Sequence, residues 1–383
     1  MKILVDFQDD TGGAPRSHLE HAKALQQSGH EIIAVIQPKS KEFLQGSGFT
    51  LNTIESFRKK GYLKKLKIGY QYYKLINKIK PDIIYANRSS QCIYLSFVSD
   101  ITGIPIICSR AGGNNISNIH KINKDRHYIV YSEELYQEFI GIGFEESKVH
   151  LIQNRIRRLD HVDEISNNIK SSNVNILFIG NIKRHTINGV KWFLEFLHKN
   201  INNIQSPLSV NFAGELIGVR DDDKDRIYNK VQSINKSGIH VKCNLMGWVN
   251  DISSLISETD ICIGKGRSVI QPMMNHKMGY VISEHGAIYD CNLDNYDAIK
   301  KSNFTGRGLE KSKCSGDKLI KSINNYQFDV DNKLTKSVIE DYSVDYLNNK
   351  IEPVIFDSVR CKKVRVMSFT FRLYKYFYHK IFG

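Results

Sequence analysis

Short apolar runs alternate with amphipathic stretches along most of this chain, a rhythm that predicts strand followed by helix. Residues 3–7, 31–36, 83–86, 104–109, 128–131 and 149–153 are compact, rich in β-branched or aromatic side chains and bounded by turn residues, as strands are. Between them, residues 16–29 place Leu19, Ala22 and Leu25 at helical spacing. Residues 62–79 do the same with Leu63, Leu66, Tyr70, Tyr73 and Ile76, and residues 133–140 form another helix. A polar run at 166–175 reads as a linker, after which the alternation starts again. Strands are expected at 176–180, 209–213, 239–246, 261–264 and 280–283, with helices at 189–199 and 222–235. Apolar runs without alternation suit parallel strands buried on both faces. The pattern therefore predicts an α/β chain of two doubly wound, Rossmann-like domains.

Composition changes little in that picture. The 383 residues suffice for two domains with real cores, and 41% hydrophobic content is ordinary for a globular protein. Seven cysteines are scattered without a C-x-x-C pair, which fits buried thiols in a reducing compartment better than a disulfide frame or a zinc site. The N-terminus reads as a strand rather than a signal peptide, and no run of 18 apolar residues predicts a bilayer span. Charge matters more. The net +14 is carried by two acid-free segments, nine Lys/Arg at 58–80 and seven at 360–383. The second segment interleaves Arg365, Arg372, Lys375 and Lys380 with Phe369, Phe371, Tyr376, Phe377 and Phe382. Such segments suit an anionic membrane surface, or, for the tail, packing onto the first domain. No nucleic-acid-binding signature accompanies them, so nucleic acid is not an expected partner.

The most specific stretch is GKGRSVIQPMMNHKMGYVISEHG, residues 264–286. It sets a glycine-flanked basic turn between a strand and a short helix, where backbone N–H groups, Arg267 and Lys265 can converge on a phosphate. This stretch resembles the donor motif of family 4-like GT-B glycosyltransferases, roughly G-x-GRS-(I/V)-LEAM-x-x-G-x-PV-I-x-x-x-G. The later NFTGRG (303–308) is similar to that branch's NFSGRG. The opening DDTGGAPRSHLEHAKALQQSGHEI is similar to the family's N-terminus, and ILFIGNIKRHTINGVKWFLEFL to the start of its second domain.

The resemblance implies a GT-B fold with a cleft between an acceptor-side domain (1–165) and a nucleotide-sugar domain (172–340). Residues 341–383 would form a return helix, beginning at 333–348, and a basic amphipathic tail. It implies that Lys183, Arg184, Gly266, Arg267 and Ser268 hold the donor diphosphate, with Arg184 favoured over Lys183. Gln271 stands where the family's ribose-binding glutamate does, and Pro272 follows it. Gly12, Gly112 and Gly113 would form an acceptor and sugar loop, and Gly13, Asn87 and Arg110 would face the chemistry. Each of these could instead serve structure alone.

His18 and His21, three apart on a helix without a third ligand, predict packing or surface roles, and Asp221, Asp222 and Asp223 predict a helix start rather than a metal site. The implied activity is transfer of a hexosyl group (EC 2.4) from a UDP- or GDP-linked sugar to a lipid-linked surface glycan. It would proceed with retention and with no metal or other cofactor, at the cytoplasmic face of the membrane. The alternative, kept open by Gln271, is an inactive relative acting as a glycan-binding or scaffold protein.

Overall fold

The computed structural model of the protein describes residues 1–7, 12–57, 61–112, 124–153, 155–159, 173–183, 186–238, 240–249, 251–310, 314–328 and 330–360. They form two compact units, Met1–Arg155 with Val344–Gly383, and Ile156–Ser343. The expected linker lies largely outside the described residues, although Asn175 falls inside a strand.

The first unit runs β1 (Lys2–Phe7), α1 (Gly13–Gln27), β2 (Glu31–Ile36), β3 (Thr50–Thr53), α2 (Tyr62–Ile79) and β4 (Ile83–Asn87). It continues with α3 (Ser89–Thr102), β5 (Ile106–Arg110), β6 (His127–Val130), α4 (Glu133–Gly141) and β7 (Val149–Leu151). The strands pair as β3-β2-β1-β4-β5-β6-β7, all parallel. Successive residues point to opposite faces. Ile3, Val5, Ile83, Tyr85, Ile107 and Ile129 pack towards α1. Leu4, Ile84, Ala86, Ile106, Cys108 and Tyr128 pack into the opposite cluster, with Tyr72, Leu95 and Leu135 of α2, α3 and α4.

One helix turns differently from its sequence pattern. On α2 the buried positions are Ile68, Tyr72 and Ile76, whereas Leu63, Leu66, Tyr70 and Tyr73 are 79%, 50%, 56% and 37% exposed. The cause lies in the sheet. Asp6 is fully buried and takes a hydrogen bond from the Tyr72 hydroxyl and another, 3.1 Å long, from Gln91 Nε2. A buried carboxylate requires such donors, so Tyr72 sets the rotation of the helix, and Leu63, Leu66, Tyr70 and Tyr73 face outward. His18 and His21 resolve to packing: both are fully buried on α1, with His21 Nδ1 2.7 Å from the Tyr85 hydroxyl and the His18 ring 5.1 Å from that of Phe7.

The second unit contains β8 (Val174–Ile179), α5 (Ile187–Lys199), β9 (Leu208–Ala213), α6 (Asp221–Ser237), β10 (Val241–Gly247) and α7 (Ile252–Ser257). Then come β11 (Ile261–Gly264), α8 (Arg267–Met273), β12 (Met278–Ile282), β13 (Ile288–Asp290), α9 (Tyr296–Lys301), α10 (Gly316–Asn325) and α11 (Asn332–Tyr342). Its sheet is ordered β10-β9-β8-β11-β12-β13, parallel except for the last pair. In both sheets the order reverses beside the first strand, between β1 and β4 and between β8 and β11. That switch point is where open α/β sheets bind ligands, at the strand carboxyl ends.

The return to the first unit begins later than expected. Leu334, Val338 and Tyr342 of α11 are buried with Val269, Ile270 and Met273 of α8 inside the second unit. The returning helix is α12 (Asn348–Arg360), whose Ile351, Val354 and Ile355 join the α1 side of the first core. Among the described residues no helix is long and apolar enough to cross a membrane.

Candidate functional site

At the switch point of the second unit, three strand ends meet in glycine. Gly180 follows β8, Gly214 follows β9 and Gly264 ends β11. A Cβ on Gly214 would sit 2.2 Å from the carbonyl oxygen of Gly180, and one on Gly264 would be 2.8 Å from Ser268 Cβ. Gly214 also adopts φ +153, a conformation side-chain-bearing residues rarely reach. The strand ends are thus drawn together into a floor of bare backbone, which hydrogen bonds complete. Gly180 N–H donates to Ala213 O (2.9 Å), Gly214 N–H to Gly247 O (2.7 Å) and Glu215 N–H to Asn181 Oδ1 (2.9 Å). Asn181 is therefore a staple between β8 and β9.

The basic turn stands at the edge of this floor. Gly266, at φ +57, begins the turn into α8, and its N–H donates to Phe304 O at 2.8 Å. The NFTGRG segment thereby braces the turn, with Asn303 and Phe304 at positive φ and Gly306 packed against Ser283. Some of the backbone amides at this turn are engaged within it. Helix α8 has only seven residues, Ser268 N–H turns back to Lys265 O (3.3 Å) and Val269 N–H to Gly266 O (3.0 Å). Beside the turn stand the half-buried Arg267 and the Ser268 hydroxyl, which is close to Gly180, with Lys183 past β8. Lys183 lies just past the floor, its N–H bonded to Thr186 Oγ1 at 2.8 Å. Arg184 lies outside the described residues.

Gln271 is one turn along α8 and half-buried. Its carbonyl accepts from Asn275 Nδ2 at 2.6 Å, and Asn275 Oδ1 takes the N–H of Leu159 at 3.4 Å. Pro272 sits inside the helix without breaking it. Sequence reasoning passed over one partner: Lys265 Nζ lies 3.4 Å from Glu284 Oε1, just after β12. Burial pushes the Lys265 ammonium below its usual range, Glu284 opposes that, and Arg307 reinforces it. An acid directly after an apolar strand was the available signal.

In the first unit, Asn87 ends β4 and Arg110 ends β5, both at carboxyl ends beside the switch point. Asn87 is buried, and its Oδ1 has no hydrogen-bond partner among the described residues. Burial lowers the pKa of Arg110, with Cys92 and Glu138 opposing. Gly12 takes φ +97 with open space around it, and Gly13 is already the first residue of α1. Gly112 lies in a bend with no atom within 4 Å of a Cβ, and Gly113 lies outside the described residues. Asp221, Asp222 and Asp223 occupy the first turn of α6, where Asp223 pairs with Lys191 and Arg220. Among the described residues no cluster of His, Cys, Asp and Glu is placed to hold a metal.

Two Rossmann-like units, the second with a glycine floor and basic turn at its switch point, are the domains of a GT-B fold. Residues 16–137 match the family described as "Glycosyl transferase 4-like". Among solved structures, the chain is similar to a glycosyltransferase of Rickettsia africae, at 16% identity and TM-score 0.69 over 94% of this chain and 98% of that one. It is also similar to Anabaena HepE, solved with UDP-glucose, at 14% identity and TM-score 0.68 over 93% and 100%. The lipopolysaccharide outer core galactosyltransferase WaaB aligns at 12% identity and TM-score 0.62 over 93% and 99%. No curated protein matches the chain in sequence.

Proposed function

We propose that the protein transfers a sugar from a UDP- or GDP-linked donor to a growing lipid-linked glycan of the cell surface. One observation carries the reading: the glycine floor of β8, β9 and β11 with Lys183, Arg267 and Ser268 at its rim. Bare backbone lets a diphosphate lie against the strand ends, and the two cations compensate the charge that grows on it as the bond to the sugar breaks. Arg184 would join them. Gln271 would meet the ribose with a neutral amide, giving up a charge-assisted bond. On the first unit, Asn87, Arg110 and the Gly12–Gly13 and Gly112–Gly113 segments would serve the acceptor side. Retention and metal independence follow from the resemblance.

A peripheral position at the inner membrane face is supported by α2. Its exposed Leu63, Leu66, Tyr70 and Tyr73 lie among Lys64, Lys65, Lys67, Lys74 and Lys78, with no acid on the helix. The aromatic tail past Arg360, outside the described residues, would share this role.

Calorimetric titration with UDP, GDP, CMP and ADP tests the donor reading. One uridine or guanosine diphosphate should bind to the wild type and lose at least tenfold on Arg267→Ala. If none binds, a second reading takes over, that of an inactive scaffold protein, which the replacement of a carboxylate by Gln271 favours.

A further inference from the structure

We infer that Arg307 is a further ligand of the donor's diphosphate, brought to the rim of the glycine floor by residues 303–308. The inference rests on the donor reading above and deepens it. The basic turn and this segment use one device twice. Lys265 stands between Gly264 and Gly266, and Arg307 between Gly306 and Gly308, with positive φ at Gly266 (+57), Gly306 (+72) and Gly308 (+75). Glycines on both sides let the chain bend sharply, so the cation is the side chain the turn presents. Asn303 and Phe304 also take the left-handed region, at φ 54 and 56. For a residue as bulky as Phe304 that conformation is costly. Packing holds it there: the ring is fully buried, 6.1 Å from that of Tyr296 and 5.7 Å from that of Tyr342.

Two contacts fix where Arg307 stands. The Phe304 carbonyl accepts the Gly266 N–H at 2.8 Å. A Cβ on Gly306 would lie 3.2 Å from Ser283 Cα and 3.3 Å from Val281 Cγ1, and Val281 is the β12 residue paired with Gly264 of the floor. Arg307 follows directly. Neighbouring strands lie about 4.8 Å apart, a distance an arginine side chain spans. Burial pushes the Lys265 ammonium down and Arg307 adds to that, so the guanidinium lies within electrostatic reach of it. Lys265 is already paired with Glu284 at 3.4 Å, and the pair brings no net charge. Arg307 brings one. It is half-buried, and its planar fork can meet a phosphate at two points. Holding one cation beside another in a partly desolvated corner is costly, and an anion shared between them offsets that cost. The floor ends at Gly264, one residue before Lys265, so a diphosphate seated on it is such an anion.

The test is calorimetric titration of UDP and GDP into wild type, Arg307→Ala, Arg307→Gln and Arg307→Lys at low and high salt. Melting curves show that the variants are folded. Whichever diphosphate binds wild type should lose about tenfold or more on Arg307→Ala and Arg307→Gln, and less on Arg307→Lys, which keeps the charge. Affinity should also fall less steeply with salt on both neutral variants, because one fewer charge meets the ligand. Affinity within about twofold of wild type on Arg307→Gln, equal losses on Arg307→Gln and Arg307→Lys, or a loss with the wild-type salt dependence would each reduce Arg307 to a support of the turn while leaving the donor site standing. Failure of both diphosphates to bind wild type would remove the donor reading itself and this inference with it.

Discussion

Replacing Gly214 by alanine probes the floor directly. The added methyl would lie 2.2 Å from Gly180 O, 2.5 Å from its carbonyl carbon and 2.9 Å from Asn181 N, all backbone atoms that no rotamer change can clear. The carboxyl ends of β8 and β9 must then part by roughly 1 Å, since packed cores accept extra atoms only by such shifts. Overpacking of this kind costs about 1–3 kcal/mol. Placing a side chain at φ +153 adds about 1–2 kcal/mol. Stretching the Gly214–Gly247 and Glu215–Asn181 hydrogen bonds adds about 1 kcal/mol more. The expected loss is about 3–6 kcal/mol from the second unit. Gly218→Ala is the control, because φ there is also positive (+63) but no atom lies within 4 Å. It should lose only about 1–2 kcal/mol. Both tryptophans, Trp192 and Trp248, belong to the second unit, so urea unfolding followed by tryptophan fluorescence reads that unit alone. Nucleotide affinity should fall with the floor. If Gly214→Ala proves as stable as Gly218→Ala, the close approach of the strand ends does not exist, and the diphosphate seat goes with it.

Three further outcomes are expected. Burial, partly offset by the Asp6 backbone, holds His18 at a pKa of about 3, and burial pushes His21 well below its usual value. An unfolded chain takes up these protons near pH 6.5, so stability is complete above that pH and falls as pH drops towards 3. His18→Phe should flatten the slope of unfolding free energy between pH 6 and 4 by up to about 1.4 kcal/mol per pH unit; an unchanged slope in denaturant titrations would count against a neutral buried imidazole. Gln271→Glu should tighten nucleoside diphosphate binding by about 1 kcal/mol, roughly fivefold; weaker binding by calorimetry would mean that the amide meets something other than the ribose. Leu66→Asp with Tyr70→Asp should abolish sedimentation with anionic vesicles while changing stability by less than about 1 kcal/mol; retained binding would take α2 out of the membrane contact.

The chain itself determined a good deal. Parallel strands covered on both faces need apolar runs, so most of the strands near the middle of both sheets were legible as uninterrupted hydrophobic segments, and β2 and α2 fall at the bounds the pattern predicts. The basic turn was legible too, because glycine on both sides of Lys265 has a local backbone reason: Gly264 admits no Cβ and Gly266 takes positive φ. Short edge elements such as β3 and β13 were not, since three or four residues carry too little periodicity to register.

Other features waited for distant parts of the chain to meet. Five apolar positions at helical spacing marked one side of α2, but the buried Asp6 of β1, 66 residues away from Tyr72, chose the side that turned inward. Asn181 found its partner only when β9 brought Glu215 N–H against it, and Lys265 gained its counter-charge only when β12 laid Glu284 alongside. Periodicity and turn chemistry act over a few residues and can be read in one dimension. Which polar groups must find each other when water is excluded depends on which strands lie side by side, and that is decided only by the folded chain.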